Sequence, residues 1–250
     1  MVFCKDNEGV IEMNEIAILM AAGLGSRMRP LTDTVAKPLV QVNGVPLIET
    51  VIAALNKRGV SEIYVVTGYK AEQFEPLTKR YPNLRLVYNA EYATKNNINS
   101  VAVVADKMAS SACFICEADL FLPNDDVLCR ELTKSGYFGK MVEGHSDDWV
   151  FDTDETGRIT RIGKIGDNRF NMAGISYFRQ AEAEKIANAV VEDVKLPENA
   201  NLFWDEVVDK LVKRGDLDLV VHKVSPSDIV ECDTVDDLKV LELKINSKRI

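Results

Sequence analysis

Apolar and polar positions alternate along the first half of the chain in two kinds of block. Short apolar runs predict buried strands at 15–21, 62–68, 84–89 and 112–119. Between them, apolar residues recur at helical spacing and predict helices at 45–59, 71–81, 97–109 and 124–136. Strands that alternate with amphipathic helices are typical of parallel βαβ units with helices on both faces of a sheet.

The pattern changes after about residue 138. Consecutive strands are predicted at 137–144, 148–164 and 169–178, with a turn at Asp154–Gly157. Helices are predicted at 179–191, 202–215 and 235–245, and strands at 217–224 and 228–233. The pattern therefore predicts an α/β fold with a β-rich second half. We expect residues 15–250 to form a single domain, preceded by an N-terminal extension at 1–14.

Composition and charge restrict the classes of ligand. The 250-residue chain has a formal net charge of −9 and no run of lysines or arginines, which argues against nucleic acid. No apolar run approaches the roughly 20 residues that a membrane-spanning helix needs, and the N-terminus does not resemble a secretory signal. Five cysteines, an odd number, suggest reduced thiols. We predict a cytoplasmic protein that binds neither nucleic acid nor membranes.

A glycine-rich segment follows the first predicted strand. Gly23 and Gly25 come directly after the apolar run, and Arg27 and Lys37 follow them. Backbone N–H groups at the carboxyl end of such a strand suit phosphates, so the loop indicates a polyphosphate ligand. The dinucleotide pattern G-x-G-x-x-G fails at its third glycine, and no Walker A pattern is present. The alternative is a solvated turn with cations placed by chance.

The longer string A-A-G-x-G-S-R-M-x-P-L-T, followed by K-P, resembles the signature of the nucleotidylyltransferase superfamily. Further segments occur in the order seen in bacterial CTP:phosphocholine cytidylyltransferases: NAEYATKNNINSV, FICEADLFL, DDWVF, LFWDEVV and DIVECDTVDDLKVLE. The resemblance extends from about Glu15 to about Leu243. It implies a Rossmann-like three-layer nucleotidyltransferase fold with a mixed, mostly parallel central sheet.

The resemblance also implies a reaction. CMP passes from CTP to phosphocholine, pyrophosphate leaves, and Mg²⁺ is the cofactor. The partners are therefore CTP and a phosphorylated amino alcohol, and we expect a monomer or homodimer. A phosphomonoester is mostly dianionic at neutral pH, so the nucleophile needs little help, whereas two repelling anions must be neutralised and aligned.

Two cations of the glycine-rich segment suit this demand. Arg27 can grip the departing pyrophosphate with two hydrogen bonds, and Lys37 supplies a compact charge nearer the α-phosphate. We predict that both are catalytic.

Asp119 and Asp233 are predicted to hold the metal. Each follows an apolar strand pattern, and hard cations prefer carboxylate oxygens. Two other roles remain open, because Asp233 or Thr234 can cap the following helix and Asp119 can belong to a turn. Family members tend to have an aspartate where this chain has Glu117, which keeps the charge.

Nucleotide contacts are assigned to the loop and to two asparagines. The resemblance implies that backbone near the end of the first strand meets the base and ribose, at Leu19, Ala21, Ala22, Gly23, Gly25 and Ser26. Asn96 and Asn97 can read the cytosine edge through their amides, or cap the following helix.

The acceptor pocket is predicted from aromatic and acidic residues. A quaternary ammonium has no N–H to donate and is held by ring faces and negative charge. Segments that match the family's choline site supply Trp149, Phe203, Trp204, Asp205 and Glu231. A tryptophan in an amphipathic helix is usually a core residue, and this alternative stands for Trp204.

Other functions remain open. One is a sister enzyme that uses phosphoethanolamine, 2-aminoethylphosphonate or a sugar 1-phosphate. Another is a regulatory subunit that binds nucleotide without catalysis. The complete set of Arg27, Lys37, Asp119 and Asp233 argues against the regulatory subunit, and the acidic and aromatic residues argue against a sugar phosphate.

Overall fold

The computed structural model describes residues 14–247. The predicted N-terminal extension at 1–14 lies outside the described residues, except for Asn14. The strands are β1 (Glu15–Ala21), β2 (Gln41–Val42), β3 (Val45–Pro46), β4 (Glu62–Thr67), β5 (Leu84–Tyr88), β6 (Ala112–Glu117), β7 (Leu120–Phe121), β8 (Gly136–Thr153), β9 (Ile159–Phe178), β10 (Val220–Lys223) and β11 (Val230–Glu231). The α-helices are α1 (Leu47–Arg58), α2 (Glu75–Arg80), α3 (Ile98–Ala102), α4 (Ala105–Met108), α5 (Gln180–Asp193), α6 (Trp204–Lys213) and α7 (Val235–Ser247).

One central sheet has the strand order β10–β8–β9–β6–β1–β4–β5. β1 pairs in parallel with β4 and β6, β4 pairs in parallel with β5, and β10 pairs in parallel with β8. Only β9 runs antiparallel to its neighbours β6 and β8 within this sheet. The predicted mixed, mostly parallel sheet is therefore confirmed. The carboxyl ends of β1, β4, β5 and β6 share one edge, where open α/β folds bind ligands.

Helices cover both faces of the sheet because strand residues alternate between two apolar clusters. Ile16 and Ile18 of β1 belong to the cluster that contains α3 to α6, whereas Ala17 and Leu19 belong to the cluster with α1 and α2. A smaller third cluster packs α7 against Met28 of the glycine-rich loop. Within residues 14–247, no helix is long and apolar enough to span a membrane.

β8 and β9 form a long antiparallel ribbon that extends beyond the central sheet. They contain 18 and 20 residues and replace the three shorter strands predicted for this part of the chain. The predicted turn at Asp154–Gly157 is confirmed, because the Asp154 carboxylate accepts hydrogen bonds from the backbone N–H groups of Thr156 and Arg158. Shifts of register at several positions, including one between Ser146 and Trp149, bend the ribbon.

The prediction of a helix at 124–136 was wrong. Only Asp125–Leu128 forms a short 3₁₀ helix, and the following residues are irregular. The guanidinium of Arg58 donates to the carbonyl oxygens of Leu128, at 2.6 Å, and Arg130, at 2.9 Å. Since a tertiary contact satisfies these carbonyl groups, the segment needs no helical hydrogen bonds.

The helix predicted at 97–109 is divided into α3 and α4. Val104, between them, has φ −125° and ψ 13°, which is not helical. The adjacent valines Val103 and Val104 have low helix propensity, so the break falls where the helix is intrinsically weakest.

Candidate active site

The glycine-rich loop leaves β1 at the ligand-binding edge of the sheet and is held by hydrogen bonds. The backbone N–H of Tyr69 donates to the carbonyl of Ala22 at 3.1 Å. The hydroxyl of Thr32 donates to the carbonyl of Gly25 at 2.8 Å, and the Tyr69 hydroxyl donates to the carbonyl of Thr32 at 3.1 Å. Buried Met28 anchors the far side of the loop. These contacts hold the loop in place at the edge of the sheet.

The two glycines of the loop differ in how much space surrounds them. Gly25 has φ +62°, and a Cβ there would lie 2.8 Å from the Cβ of Lys37, so the position has no room for a side chain. A Cβ on Gly23 would meet no protein atom within 4 Å, because this residue faces an open cleft.

The cleft has a volume of about 240 Å³ and gathers most of the predicted phosphate-binding residues. Its lining includes Ala21, Gly23, Gly25, Ser26, Arg27, Lys37 and Asp119. Leu19 is fully buried within β1, so only its backbone can take part in binding. The roles of the loop residues, Ala22 among them, stay predictions.

Lys37 lies at the centre of a charged cluster at this edge. Its Nζ is 2.6 Å from Oδ2 of Asp119 and 2.5 Å from Oδ1 of Asp233. Arg27 also pairs with Asp233, at 2.9 Å, but its side chain is 70% exposed whereas that of Lys37 is 10% exposed. Burial opposes the charge on Lys37, yet the two carboxylates outweigh it and raise its pKa. Arg27 therefore has the freedom to turn toward a ligand, and Lys37 is fixed.

A short two-stranded ladder brings Asp119 and Asp233 together. β7 and β11 pair antiparallel outside the central sheet, and the backbone N–H of Cys232 donates to the carbonyl of Asp119 at 3.1 Å. Thr234 and Asp237 cap α7 through reciprocal hydrogen bonds, so Asp233 is not used as the cap. Thr234, and not Asp233, therefore caps α7.

Asp119, Glu231 and Asp233 form a group that can hold a metal ion. One carboxylate oxygen from each lies within 4.8 Å of the others. Burial raises the pKa of Glu231 to about 8, and the negative charges of Asp119 and Asp233 contribute to this rise. Hard oxygen donors with excess negative charge fit a divalent cation such as Mg²⁺. From the sequence, Asp119 and Asp233 were predicted as metal ligands and Glu231 as an acceptor ligand, and these roles stay predictions. The position of Glu231 beside the two aspartates adds a metal role that the sequence did not indicate.

Asn96 and Asn97 lie away from the lining of the cleft. The Asn96 amide donates to the carbonyl of Asn201 at 3.0 Å. The Asn97 side chain accepts from the backbone N–H of Trp204 at 3.0 Å and so caps α6 rather than α3. Both side chains connect the segment before α3 to the segment before α6. Their contact with a base stays a prediction.

Trp149 and Phe203, predicted to bind the acceptor, form an aromatic pair. Their ring centroids are 5.5 Å apart and the rings are inclined at 67°. The Nζ of Lys164 lies 5.6 Å from the Trp149 centroid and 5.2 Å from the Phe203 centroid. A cation of the protein therefore already contacts both rings.

Trp204 and Asp205 lie deeper. Trp204 is 3% exposed and stacks on Tyr137, which agrees with the alternative that it is a core residue. Its role in binding the acceptor stays a prediction. Asp205 is 4% exposed and accepts a hydrogen bond from the Tyr137 hydroxyl at 3.2 Å. Burial raises the pKa of Asp205 to about 7, although the bond from Tyr137 acts to lower it.

Asp205 shares a small cavity with Glu117. The cavity has a volume of about 10 Å³, roughly the size of one water molecule, and is also lined by Met20 and Trp204. Burial raises the pKa of Glu117, and the neighbouring charges of Asp119, Glu231 and Asp205 raise it further. Gly174 makes room for this carboxylate, since a Cβ there would lie 2.9 Å from the Glu117 Oε2.

Sequence reasoning gave no role to two residues of this region. Gln73 accepts from the backbone N–H of Ala36 at 2.8 Å and donates to the carbonyl of Thr34 at 2.9 Å, which braces the segment before Lys37. Lys164 contacts the aromatic pair. Its place opposite Trp149 depends on the ribbon register, which the sequence pattern does not specify.

The class of protein follows from a family comparison. The MobA-like NTP transferase domain matches residues 17–150, which include the glycine-rich loop, Lys37 and Asp119. The chain belongs to this family and is a nucleotidyltransferase.

Several relatives are similar over nearly their whole length. The chain is 46% identical to the 2-aminoethylphosphonate cytidylyltransferase of Lancefieldella rimae, over 90% of this chain and 91% of the relative. It is 35% identical to the choline-phosphate cytidylyltransferase of Streptococcus pneumoniae, over 90% of this chain and 96% of the relative. The solved structure of the CTP:phosphocholine cytidylyltransferase from Streptococcus pneumoniae matches with a TM-score of 0.83 and 32% identity, over 93% of this chain and 100% of that one. The predicted resemblance to bacterial cytidylyltransferases is confirmed.

Proposed function

We propose that this protein transfers CMP from CTP to 2-aminoethylphosphonate and releases pyrophosphate. The observation that carries the acceptor is the small cavity between Glu117 and Asp205. A primary ammonium is about as large as a water molecule and offers N–H donors to both carboxylates, whereas a trimethylammonium is too large and donates nothing. The similarity to the Lancefieldella rimae enzyme supports the same acceptor.

The reaction is an in-line displacement. A phosphonate oxygen of the acceptor forms a bond to the α-phosphorus of CTP as the bond from that phosphorus to the pyrophosphate oxygen breaks. The attacking oxygen carries negative charge already, so no side chain has to remove its proton. The protein must hold two anions together and stabilise the charge that develops on the leaving group.

Lys37 and Arg27 meet these demands in different ways. Lys37, fixed between Asp119 and Asp233, places a compact positive charge at the inner wall of the cleft, near the position proposed for the α-phosphate. Arg27 is exposed, and its guanidinium can turn from Asp233 to the departing pyrophosphate. The backbone of the glycine-rich loop binds the nucleotide, and Asn96 and Asn97 are proposed to contact the cytosine.

Asp119, Glu231 and Asp233 are the residues proposed to hold Mg²⁺. A divalent cation held by these carboxylates would supply positive charge to neutralise phosphate oxygens. Glu231 lies next to Asp233 and Asp119 in this cluster, and Glu117 and Asp205 remain for the acceptor ammonium.

Phosphocholine is the second candidate acceptor. The observation that favours it is the aromatic pair of Trp149 and Phe203, since ring faces attract a methylated ammonium. The Streptococcus pneumoniae relatives support this alternative.

Pyrophosphate release with CTP and a panel of acceptors tests the proposal. We expect kcat/KM for 2-aminoethylphosphonate to exceed that for phosphocholine by at least about tenfold, because a primary ammonium can donate hydrogen bonds to the buried carboxyl groups of Glu117 and Asp205 and a trimethylammonium cannot. Phosphoethanolamine has the same ammonium and separates the effect of the phosphonate from that of the amine. An Asp119→Asn variant serves as the inactive control. A preference for phosphocholine would contradict the proposed acceptor, and no release with any acceptor would contradict the proposed reaction.

A further inference from the structure

We propose that Lys164 determines acceptor selectivity by occupying the aromatic pair of Trp149 and Phe203. The inference rests on the proposed function and concerns a residue outside the phosphate-binding and carboxylate clusters. The Nζ of Lys164 lies 5.6 Å from the Trp149 ring centroid and 5.2 Å from the Phe203 ring centroid. These ring faces are the surface that a methylated ammonium would otherwise contact.

Lys164 contacts the two aromatic rings rather than an acidic side chain. Among residues 14–247, no carboxylate lies within ion-pair distance of its Nζ, although the chain as a whole has a net charge of −9. On β9, Lys164 is directly opposite Trp149 on β8. Directly opposed residues of an antiparallel pair have adjacent side chains, so the backbone itself presents the ammonium to the indole.

The backbone around Lys164 is held in an unusual conformation. Ile165 has φ +67°, a region that β-branched residues rarely adopt. The guanidinium of Arg161 donates to the carbonyl of Ile165 at 3.2 Å and pairs through Nε with Asp152 at 2.6 Å. Gly163 leaves space for this guanidinium, since a Cβ there would lie 2.6 Å from Arg161 Nη1. These contacts hold the backbone next to Lys164 in place, and with it the point from which the Lys164 side chain extends toward the rings.

The positive charge of Lys164 affects which acceptor can contact the rings. A second cation on the same rings must displace the ammonium of Lys164 or lie beside it, and both are unfavourable. The ammonium of 2-aminoethylphosphonate is proposed to enter the cavity between Glu117 and Asp205 and does not compete for the rings. Lys164 therefore acts against a trimethylammonium while leaving a primary ammonium free to bind.

Acceptor competition with Lys164 variants tests this. Lys164→Gln should raise the ratio of kcat/KM for phosphocholine to kcat/KM for 2-aminoethylphosphonate by about three- to thirtyfold, the range expected for gaining one cation–aromatic contact. Lys164→Arg keeps a cation on the rings and should keep the wild-type ratio. Lys223→Gln is the matched control, because the Nζ of Lys223 lies 5.2 Å from the Phe170 centroid in a similar contact elsewhere. This control should also leave the ratio unchanged.

An unchanged ratio in Lys164→Gln would overturn the inference. An equal loss of kcat/KM for both acceptors would also overturn it, because Lys164 would then bind the anionic group that the two acceptors share. The wild-type preference tests the proposed acceptor separately. If the wild type prefers phosphocholine and Lys164→Gln still raises the ratio, the acceptor proposal fails and the role of Lys164 stands.

Discussion

The Nζ of Lys37 lies 2.6 Å from Oδ2 of Asp119, although 82 positions separate the two residues in the sequence. The same ammonium contacts Asp233, so one cation bridges two of the three carboxylates proposed to hold Mg²⁺. The ammonium of Lys37 therefore reduces the repulsion between the carboxylates of Asp119 and Asp233. Substitutions of Lys37 and Asp119 therefore test both the proposed metal site and the proposed catalytic role.

Asp119→Asn should lower kcat by at least about a hundredfold, because the amide is a weaker metal ligand and removes one negative charge from the cluster. The fold should remain intact, since Lys37 retains Asp233 as a partner. Steady-state kinetics and thermal unfolding provide the two measurements. Asp125→Asn is the control, because Asp125 pairs with Lys57 on the surface and should leave kcat unchanged. Near-normal turnover of Asp119→Asn would reject Asp119 as a metal ligand.

Lys37→Ala should lower kcat more than it raises KM for CTP. The charge of Lys37 matters most as the two anions meet, so its loss affects the transition state more than the bound nucleotide. We expect a fall in kcat of about a hundredfold or more, as for other fixed groups that stabilise developing charge. A large rise in KM for CTP with kcat unchanged would instead assign Lys37 to ground-state binding.

Lys37→Ala should also bind Mg²⁺ more tightly than the wild type in the absence of nucleotide. Without the ammonium, the carboxylates of Asp119 and Asp233 repel each other, and a divalent cation relieves that repulsion. The increase in Tm on adding Mg²⁺ should therefore be larger for this variant. Lys57→Ala removes a lysine that pairs with surface carboxylates and should behave as the wild type. Equal Tm increases in Lys37→Ala and the wild type would show that these carboxylates do not bind the metal.

The sequence predicted the sheet and much of this cluster because both follow local rules. Asp119 lies two residues beyond β6, and the carboxyl ends of parallel strands share an edge, so its position near Lys37 was predictable. The helix expected after Asn124 failed because Arg58, distant in sequence, satisfies its carbonyl groups. Lys164 was missed because its position depends on a bulged ribbon, in which a shift of one residue reverses the face of every side chain.

Asp205 should make the stability of the protein depend on pH. Its pKa is about 7 in the folded protein and 3.8 ordinarily, so between these values the folded state retains a proton that the unfolded state has released. Stability should therefore fall as pH rises from about 4 to 7, by about 4 kcal/mol in total, and stay level above that range. Asp205→Asn removes this dependence.

Urea unfolding at pH 5 and pH 8 measures the difference. The loss of unfolding free energy between the two pH values should be smaller in Asp205→Asn than in the wild type by a few kcal/mol. Asp216→Asn, on the surface beside Arg214, is the control and should match the wild type. Parallel pH profiles for Asp205→Asn and the wild type would mean that Asp205 is already ionised at pH 5.

Alanine substitutions at Gly23 and Gly25 should have different effects. The first should affect nucleotide binding and the second the position of Lys37. Gly23→Ala adds a methyl group that meets no protein atom within 4 Å, so stability should change by less than about 0.5 kcal/mol. The methyl group projects into the cleft and should raise KM for CTP by about tenfold, equivalent to about 1.4 kcal/mol of binding. An unchanged KM for CTP would mean that the nucleotide does not approach this backbone.

Gly25→Ala should instead lower both stability and kcat. Alanine at φ +62° costs about 1–2 kcal/mol, and its Cβ would lie 2.8 Å from the Cβ of Lys37, so the lysine must move. Gly157→Ala is the matched control, because Gly157 has φ +82° with open space around it and introduces strain alone. If the two variants lose similar stability and only Gly25→Ala loses turnover, the position of Lys37 controls catalysis. Normal turnover in Gly25→Ala would show that the reaction tolerates displacement of this ammonium, and the catalytic role proposed for Lys37 would fail.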